Sequence, residues 1–131
     1  MQIFTFRLKP EQDLFNEIEA IVAEKNIEAG CVLSAVGSLT HATLRLANRD
    51  HYSEYDGHFE IVSMTGTVSA HGSHLHVSIS DGDGKTIGGH LVPGCKIYTT
   101  AEIVLAIFKD VVYKREYAED SGYEELVVKP C

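Results

Sequence analysis

One stretch of the sequence decides the fold: residues 74–90, HLHVSISDGDGKTIGGH. Apolar and polar residues alternate over 74–80, as they do in a half-buried β-strand. The run Asp81-Gly82-Asp83-Gly84 is a strong turn signal, and a second strand pattern follows it over 86–92. Residues 74–92 therefore predict a β-hairpin and, with it, antiparallel pairing.

Strand patterns continue on both sides of this hairpin. Residues 97–108 could form a helix by length alone, but they open with β-branched and aromatic residues, which favours a strand. Residues 48–57 are polar and rich in tyrosine, and we predict a loop there. The segments with a strand pattern, beyond the hairpin, are 2–8, 31–39, 42–47, 59–68, 97–108, 113–118 and 126–129.

One helix is predicted after Lys9-Pro10, ending near residues 24–26. Pro10 suits a first helical turn, and the carboxylates of Glu11 and Asp13 favour the positive N-terminal end of a helix dipole. Apolar residues then repeat at helical spacing: Leu14, Ile18, Ile21 and Val22. The chain shows no repeat or linker, so we predict a single α+β domain over residues 1–131.

Composition narrows the function. The formal net charge is −8, from 19 acidic and 11 basic residues, and this balance argues against direct nucleic-acid binding, which depends on Lys and Arg. No run approaches the ~20 apolar residues of a membrane span, and the N-terminus lacks a secretory signal, so we expect a cytoplasmic protein. Cys31, Cys95 and Cys131 form no C-x-x-C pair, which argues against a disulfide framework or a zinc ribbon.

Three of the seven histidines have a meaningful spacing. His74 and His76 lie two apart on a predicted strand and therefore share a face, and His90 lies on the returning strand. If residues 82–84 form a three-residue loop, His76 lies directly opposite His90. If the turn has two residues, Val77 takes that place, and only a bulge at residues 88–89 would restore the cluster.

Three imidazoles with an open fourth position are the arrangement of a catalytic zinc site, although imidazole also suits nickel, copper and iron. Such a metal polarises a carbonyl or acidifies a bound water. We expect Gly88 and Gly89 to leave room beside it for a small ligand. His71 is near enough in sequence to serve as a neighbouring group or an alternative ligand, although an isolated histidine is more often a surface or capping residue. The simpler interpretation is that these are half-exposed strand histidines that hydrogen-bond to their neighbours.

An ordered set of segments resembles the plant-and-prokaryote conserved domain, also called the domain of unknown function 296. Each segment alone is weak, but their order is specific, and nearly the whole chain follows the family's layout. The segments are Val36-Gly37-Ser38, residues 57–68, residues 74–78, residues 81–84, residues 88–91 and Gly94-Cys95.

This resemblance implies an antiparallel, barrel-like sheet flanked by helices, a homotrimer, and a divalent metal, zinc first, held by His74, His76 and His90. Plant members recruit protein partners through a segment that matches Gly57, His58, Phe59, Glu60, Ile61 and Val62. They bind DNA through a separate AT-hook. This chain has no AT-hook and carries His58 where plant members have arginine, so we do not expect it to bind DNA alone.

Two functions follow as hypotheses. The first is a trimeric metal-binding protein, acting as a lyase or hydrolase on a small carbonyl or carboxylate substrate by analogy with the zinc enzyme acetolactate decarboxylase. Glu60 is then the first candidate for the catalytic acid or base, followed by Glu102 and Asp81. The alternative is a regulatory interaction domain that docks onto DNA-binding partners through residues 57–62.

Overall fold

A computed structural model describes residues 1–131 as one helix and eight strands. No helix in it has the length and apolar content that crossing a membrane requires. In chain order the elements are β1 (Gln2–Leu8), α1 (Leu14–Glu24), β2 (Gly30–Arg45), β3 (Ser53–Val68), β4 (His74–Ser80), β5 (Thr86–Leu91), β6 (Lys96–Ile107), β7 (Val111–Ala118) and β8 (Tyr123–Pro130).

Six strands form one antiparallel sheet in the order β1-β6-β2-β3-β4-β5, and β7 pairs with β8 in a separate hairpin. Strand β5 also returns to the end of β2, where Leu44 pairs with Leu91 and Arg45 with His90. Strand β1 pairs only with β6, so the sheet keeps an open edge there. The α+β expectation therefore holds in outline, with less helix than the resemblance implied.

Around residues 31–57 the strands differ from the prediction in two ways. The candidate strands 31–39 and 42–47 belong to one long strand, β2. A β-bulge between Leu39 and His41 shifts the register of β2 against both neighbouring strands. The bulge changes the phase of the alternation, and a change of phase reads as a strand end in sequence. The predicted loop 48–57 is shorter than expected, since β3 already begins at Ser53.

Helix α1 is fixed at its start by Asp13. One carboxylate oxygen accepts a hydrogen bond from the backbone N–H of Asn16 at 2.9 Å, as an N-cap does, and the other accepts from Gly94 N–H at 2.6 Å. The cap therefore also ties the helix to the segment between β5 and β6. Pro10 lies in the turn before the helix, not in its first turn as predicted.

The core lies between α1 and one face of the sheet. Helix α1 buries Leu14, Ile18 and Val22 there, and β4 buries the alternate residues Leu75, Val77 and Ile79. Burying a side chain of this size stabilises the fold by about 1.5–3 kcal/mol. Because neighbouring strand residues point to opposite faces, this packing directs the even-numbered side chains of β4 away from the core.

Candidate metal centre

The structure brings His74, His76 and His90 together. Strand β4 pairs with β5 without a register shift, and His76 lies directly opposite His90. The backbone N–H of Asp81 donates to the carbonyl of Lys85 at 2.9 Å, which closes the loop over residues 82–84. The three-residue alternative for the turn is therefore confirmed, and no bulge at residues 88–89 is needed.

The nitrogen spacing of this cluster, the histidine triad, suits one tetrahedral ion. His74 Nε2 and His76 Nε2 lie 3.2 Å apart, and one ring nitrogen from each histidine lies within 4.8 Å of the other two. Two nitrogens bound to a tetrahedral zinc at 2.0–2.1 Å would be about 3.3 Å apart. The His74–His76 distance meets that value, and the nitrogen of His90 lies within 4.8 Å of both.

Burial and charge keep two of these imidazoles unprotonated. Desolvation, followed by the positive charge of Arg45, lowers the pKa of His90 to about 4. Desolvation, followed by the charge of His76, also lowers the pKa of His74. The Nδ1 atom of His90 is buried and has no hydrogen-bond partner. An unprotonated imidazole is the form that binds a metal, so the triad fits a metal ligand set.

Three glycines allow the strands that carry the triad to approach closely. A Cβ at Gly66, where φ is +142°, would collide with the carbonyl of His74. A Cβ at Gly88 would lie 2.7 Å from the carbonyl oxygen of Val77, and one at Gly89 would lie 2.8 Å from that of Arg45. The expectation that Gly88 and Gly89 leave room for a ligand is therefore wrong, because the space beside them is filled by backbone.

The space for a ligand lies instead in a cleft of about 530 Å³ beside the triad. One wall comes from the end of β2, and the opposite wall comes from the β7–β8 hairpin. Arg115 of the hairpin is fixed by a 3.2 Å hydrogen bond from its Nη2 to the Thr67 hydroxyl. The lining residues are Arg45, Asn48, Gly72, Ser73, His74, His90, Arg115, Tyr123, Glu124 and Glu125.

Sequence reasoning missed Arg45, Arg115 and Glu125. Arg45 lies beside the triad because β5 pairs with the end of β2. No pattern of neighbouring residues in the sequence predicts that pairing. Besides the Arg115–Thr67 contact, the hairpin docks through two long-range hydrogen bonds to its backbone, from Tyr113 N–H to the Glu28 carbonyl and from the Ser69 hydroxyl to the Tyr113 carbonyl. Contacts of this range leave no signal in a single sequence.

Glu60 lies in a different part of the sheet. It pairs with Ser80, four residues along β4 from His76, which corresponds to roughly 13 Å at the rise of a β-strand. Its own cleft, of about 470 Å³, is also lined by His58 and Tyr98. The structure therefore does not bring Glu60 to the triad within one chain, and its catalytic role stays a prediction.

Asp81 and Glu102, the other two candidates for the catalytic acid or base, form hydrogen bonds with residues close in sequence. Asp81 accepts hydrogen bonds from the backbone N–H groups of Asp83 and Lys85, both at 2.9 Å, and so holds the β4–β5 turn. Glu102 accepts from the Thr100 hydroxyl at 3.4 Å on β6. Neither residue lines the triad cleft.

The other histidines have partners of their own. His71 contacts the Glu28 carboxylate at 3.0 Å and is not among the clustered ring nitrogens of the triad. His41 lies 2.6 Å from a carboxylate oxygen of Asp56, and this contact raises its pKa. His51 contacts Asp50, and the ring of His58 lies 4.6 Å from that of Tyr98.

Comparison with known proteins gives a family match and relatives. The family model described as the Plants and Prokaryotes Conserved (PCC) domain matches residues 1–109. The bifunctional protein GlmU of Synechococcus sp. (strain JA-2-3B'a(2-13)) is 45% identical over 130 residues, which are 99% of this chain and 21% of that protein. The chain thus spans about a fifth of the length of the curated relatives it matches first.

Two solved structures share the whole fold. A protein from Salmonella cholerae-suis, described as hypothetical, superimposes with a TM-score of 0.97 at 34% identity, covering 98% of this chain and 94% of its own. A metal-containing protein from Archaeoglobus fulgidus superimposes with a TM-score of 0.79 at 27% identity, covering 97% and 94%. Both coverages are broader than the family match, which ends before the β7–β8 hairpin.

Proposed function

The chain belongs to the Plants and Prokaryotes Conserved (PCC) domain family, and from that premise we propose that it is a metal-binding protein whose ion is held by His74, His76 and His90. The observation that carries the proposal is the nitrogen spacing of the triad, with His74 Nε2 and His76 Nε2 3.2 Å apart. Zinc is the metal we propose, since three imidazoles suit it. The similar fold of the metal-containing Archaeoglobus protein supports this assignment.

Each part of the site would contribute to binding. A metal in a three-histidine site with an open position supplies Lewis acidity to a small ligand. The β4–β5 pairing holds two of the imidazoles side by side, and burial keeps His90 unprotonated. The cleft beside them, with Arg115 and Glu125 on its walls, admits a small molecule.

We extend the proposal to a lyase or hydrolase acting on a small carbonyl or carboxylate substrate. Proton transfer in such a reaction requires an acid or base within hydrogen-bond reach of the substrate. Glu125 lines the cleft, and its charge raises the pKa of His74 against the larger lowering effects. We therefore place Glu125 ahead of Glu60 as the proton-transfer group and keep Glu60 as the second candidate.

Metal content per chain tests the proposal. Untagged protein, purified without added metal or chelator, is analysed by inductively coupled plasma mass spectrometry. We expect about one zinc per chain in the wild type and a loss of most of it in His74→Ala and His90→Ala. His51→Ala is the matched control, because His51 is exposed and contacts only Asp50. Full occupancy in His90→Ala would refute the triad.

We also propose that the chain assembles as a homotrimer, as the family resemblance implies. Val36 and Val62, which flank the cross-strand pair Gly37–Ile61, are 53% and 57% exposed. Leu33, earlier on β2, is 53% exposed. Exposed apolar side chains on a sheet surface favour a contact between copies of the chain.

A second candidate function is protein recruitment through residues 57–62. Four of these six residues are exposed on β3: Gly57, His58, Glu60 and Val62. A partner could therefore reach the segment without rearrangement of the core. The His90→Ala variant distinguishes the two functions. It should lose the metal and still bind any protein partner that contacts residues 57–62.

A further inference from the structure

We propose that Arg45 and Arg115 form a carboxylate-binding pair beside the histidine triad, so that the ligand of the cleft is a small organic acid anion. The inference rests on the proposed function, because the pair would hold one end of a molecule whose other end meets the metal. It narrows the proposed substrate class from carbonyl or carboxylate compounds to carboxylates, and it assigns two specificity residues that neither the family match nor the sequence patterns supply.

Arg45 lies on the His90 side of the triad. In the β2–β5 pairing it is directly opposite His90, and His90 is directly opposite His76. Residues directly opposite in antiparallel strands share a face, so the three side chains form one row across the sheet. Arg45 also lines the same cleft as His74 and His90.

Arg115 lies on the His74 side. Its Nη2 donates to the hydroxyl of Thr67, and Thr67 pairs directly with His74. Its Cγ would lie 3.1 Å from a Cβ built at Gly72, so the aliphatic part of the side chain packs against that glycine. These contacts hold the guanidinium in one place beside the triad while most of its N–H groups stay available to a ligand.

Neither arginine of the pair forms an ion pair within the protein, although Glu124 and Glu125 also line the cleft. The ion pairs of this structure involve histidine and lysine, and neither Arg45 nor Arg115 has a carboxylate oxygen within 4.0 Å. Yet the chain carries a net charge of −8 and has only four arginines, two of which line this cleft. A divalent ion bound by the histidine triad would add positive charge beside the two arginines and favour an anionic ligand.

The geometry of the donors favours a carboxylate. A guanidinium presents planar, paired N–H donors that match the two oxygens of a carboxylate. A cleft of about 530 Å³ between two such groups fits a small acid rather than a long chain. Arg115 belongs to the β7–β8 hairpin, outside the family match over residues 1–109, so the hairpin would determine which acid is accepted.

The test compares lactate with lactamide, which replaces the carboxylate by a neutral amide of similar shape. Binding of each to the zinc-loaded full chain is measured by isothermal titration calorimetry, with inorganic phosphate as a third probe. We expect lactate to bind about tenfold more tightly than lactamide, in line with a charge-assisted hydrogen bond. Arg45→Gln and Arg115→Gln should each weaken lactate binding by a similar factor and leave the zinc content unchanged.

Arg49→Gln is the matched control, because it removes the same charge from an exposed position that does not line the cleft. Equal binding of lactate and lactamide, or full lactate affinity in Arg45→Gln, would overturn the inference while the metal site stands. Tighter binding of phosphate than of lactate would overturn the carboxylate assignment. A wild-type protein that takes up no metal would instead refute the proposed function itself.

Discussion

His90 is the residue at which register, burial and charge act together. Its position opposite His76 comes from a three-residue loop, and its buried Nδ1 has no partner. A buried nitrogen without a hydrogen-bond partner destabilises the fold, so such an atom in a native structure calls for an explanation, and a bound ligand would provide one. The same burial, together with the charge of Arg45, lowers the pKa of His90 to about 4. At neutral pH the imidazole is therefore in the unprotonated form that binds a metal.

This pKa predicts how the metal-free protein responds to acid. The pKa of His90 is about 4 in the folded state and about 6.5 in the unfolded state, so the unfolded chain binds more protons between these values. The contribution of His90 to the free energy of unfolding is fully present above pH 6.5 and is lost as the pH falls towards 4.

Urea denaturation in the presence of a chelator measures this effect. Across that window the wild type should lose more stability than His90→Gln, which cannot take up the proton. Parallel loss of stability in the two proteins would show that His90 keeps an ordinary pKa in the fold.

At the scale of elements, the β4–β5 hairpin aligns the triad and depends on close contact of its backbones. The predicted turn and strand alternation appear in the structure, because both are fixed by residues close in sequence. Of the two registers that the sequence left open, the structure has the one with the three-residue loop. Gly88 is required by the approach of the Val77 carbonyl, and this approach is fixed by packing across the sheet.

Gly88→Ala should therefore disturb both stability and metal binding. An added methyl group would lie 2.7 Å from the Val77 carbonyl oxygen, and the two strands would have to separate. We expect a loss of about 1–3 kcal/mol in the free energy of unfolding, typical of overpacking, together with weaker zinc retention.

Gly82→Ala is the control for this change, since a Cβ at Gly82 meets no atom within 4 Å. Chemical denaturation and metal analysis of the two variants make the comparison. Equal effects of the two substitutions would mean that the hairpin does not need the close approach.

Sequence patterns predict the elements that depend on neighbouring residues, but not the contacts between distant elements. The helix, the hairpin and the three histidines could be found from local periodicity and turn chemistry. Arg45 and Arg115 could not, because they reach the triad through a second pairing of β2 and through docking of the β7–β8 hairpin. The β2 bulge was missed for a related reason, since a change of register resembles a break between strands.

At the scale of the whole molecule, the sheet has one face covered by the helix and apolar residues exposed elsewhere on β2 and β3. The proposed trimer would cover Val36 and Val62, which flank the Gly37–Ile61 pair. In this arrangement the exposed apolar surface of β2 and β3 becomes a contact between chains.

Val62→Asp should dissociate this assembly. A carboxylate buried between chains without a partner is strongly unfavourable, whereas on a monomer the position is 57% exposed and tolerates the change. Light scattering coupled to size-exclusion chromatography should show the mass of three chains for the wild type and of one chain for the variant. Tyr52→Asp, 59% exposed on the β2–β3 connection, is the control and should stay trimeric. A trimeric Val62→Asp protein would place the contact elsewhere.

The central claim, that one ion binds to three histidines, is tested most directly by anomalous X-ray diffraction. Crystals of untreated protein are measured on either side of the zinc absorption edge. We predict an anomalous peak about 2.0–2.1 Å from one nitrogen each of His74, His76 and His90. Absence of a peak at the triad, or a peak at another position, would contradict the account and leave the three residues as ordinary strand histidines.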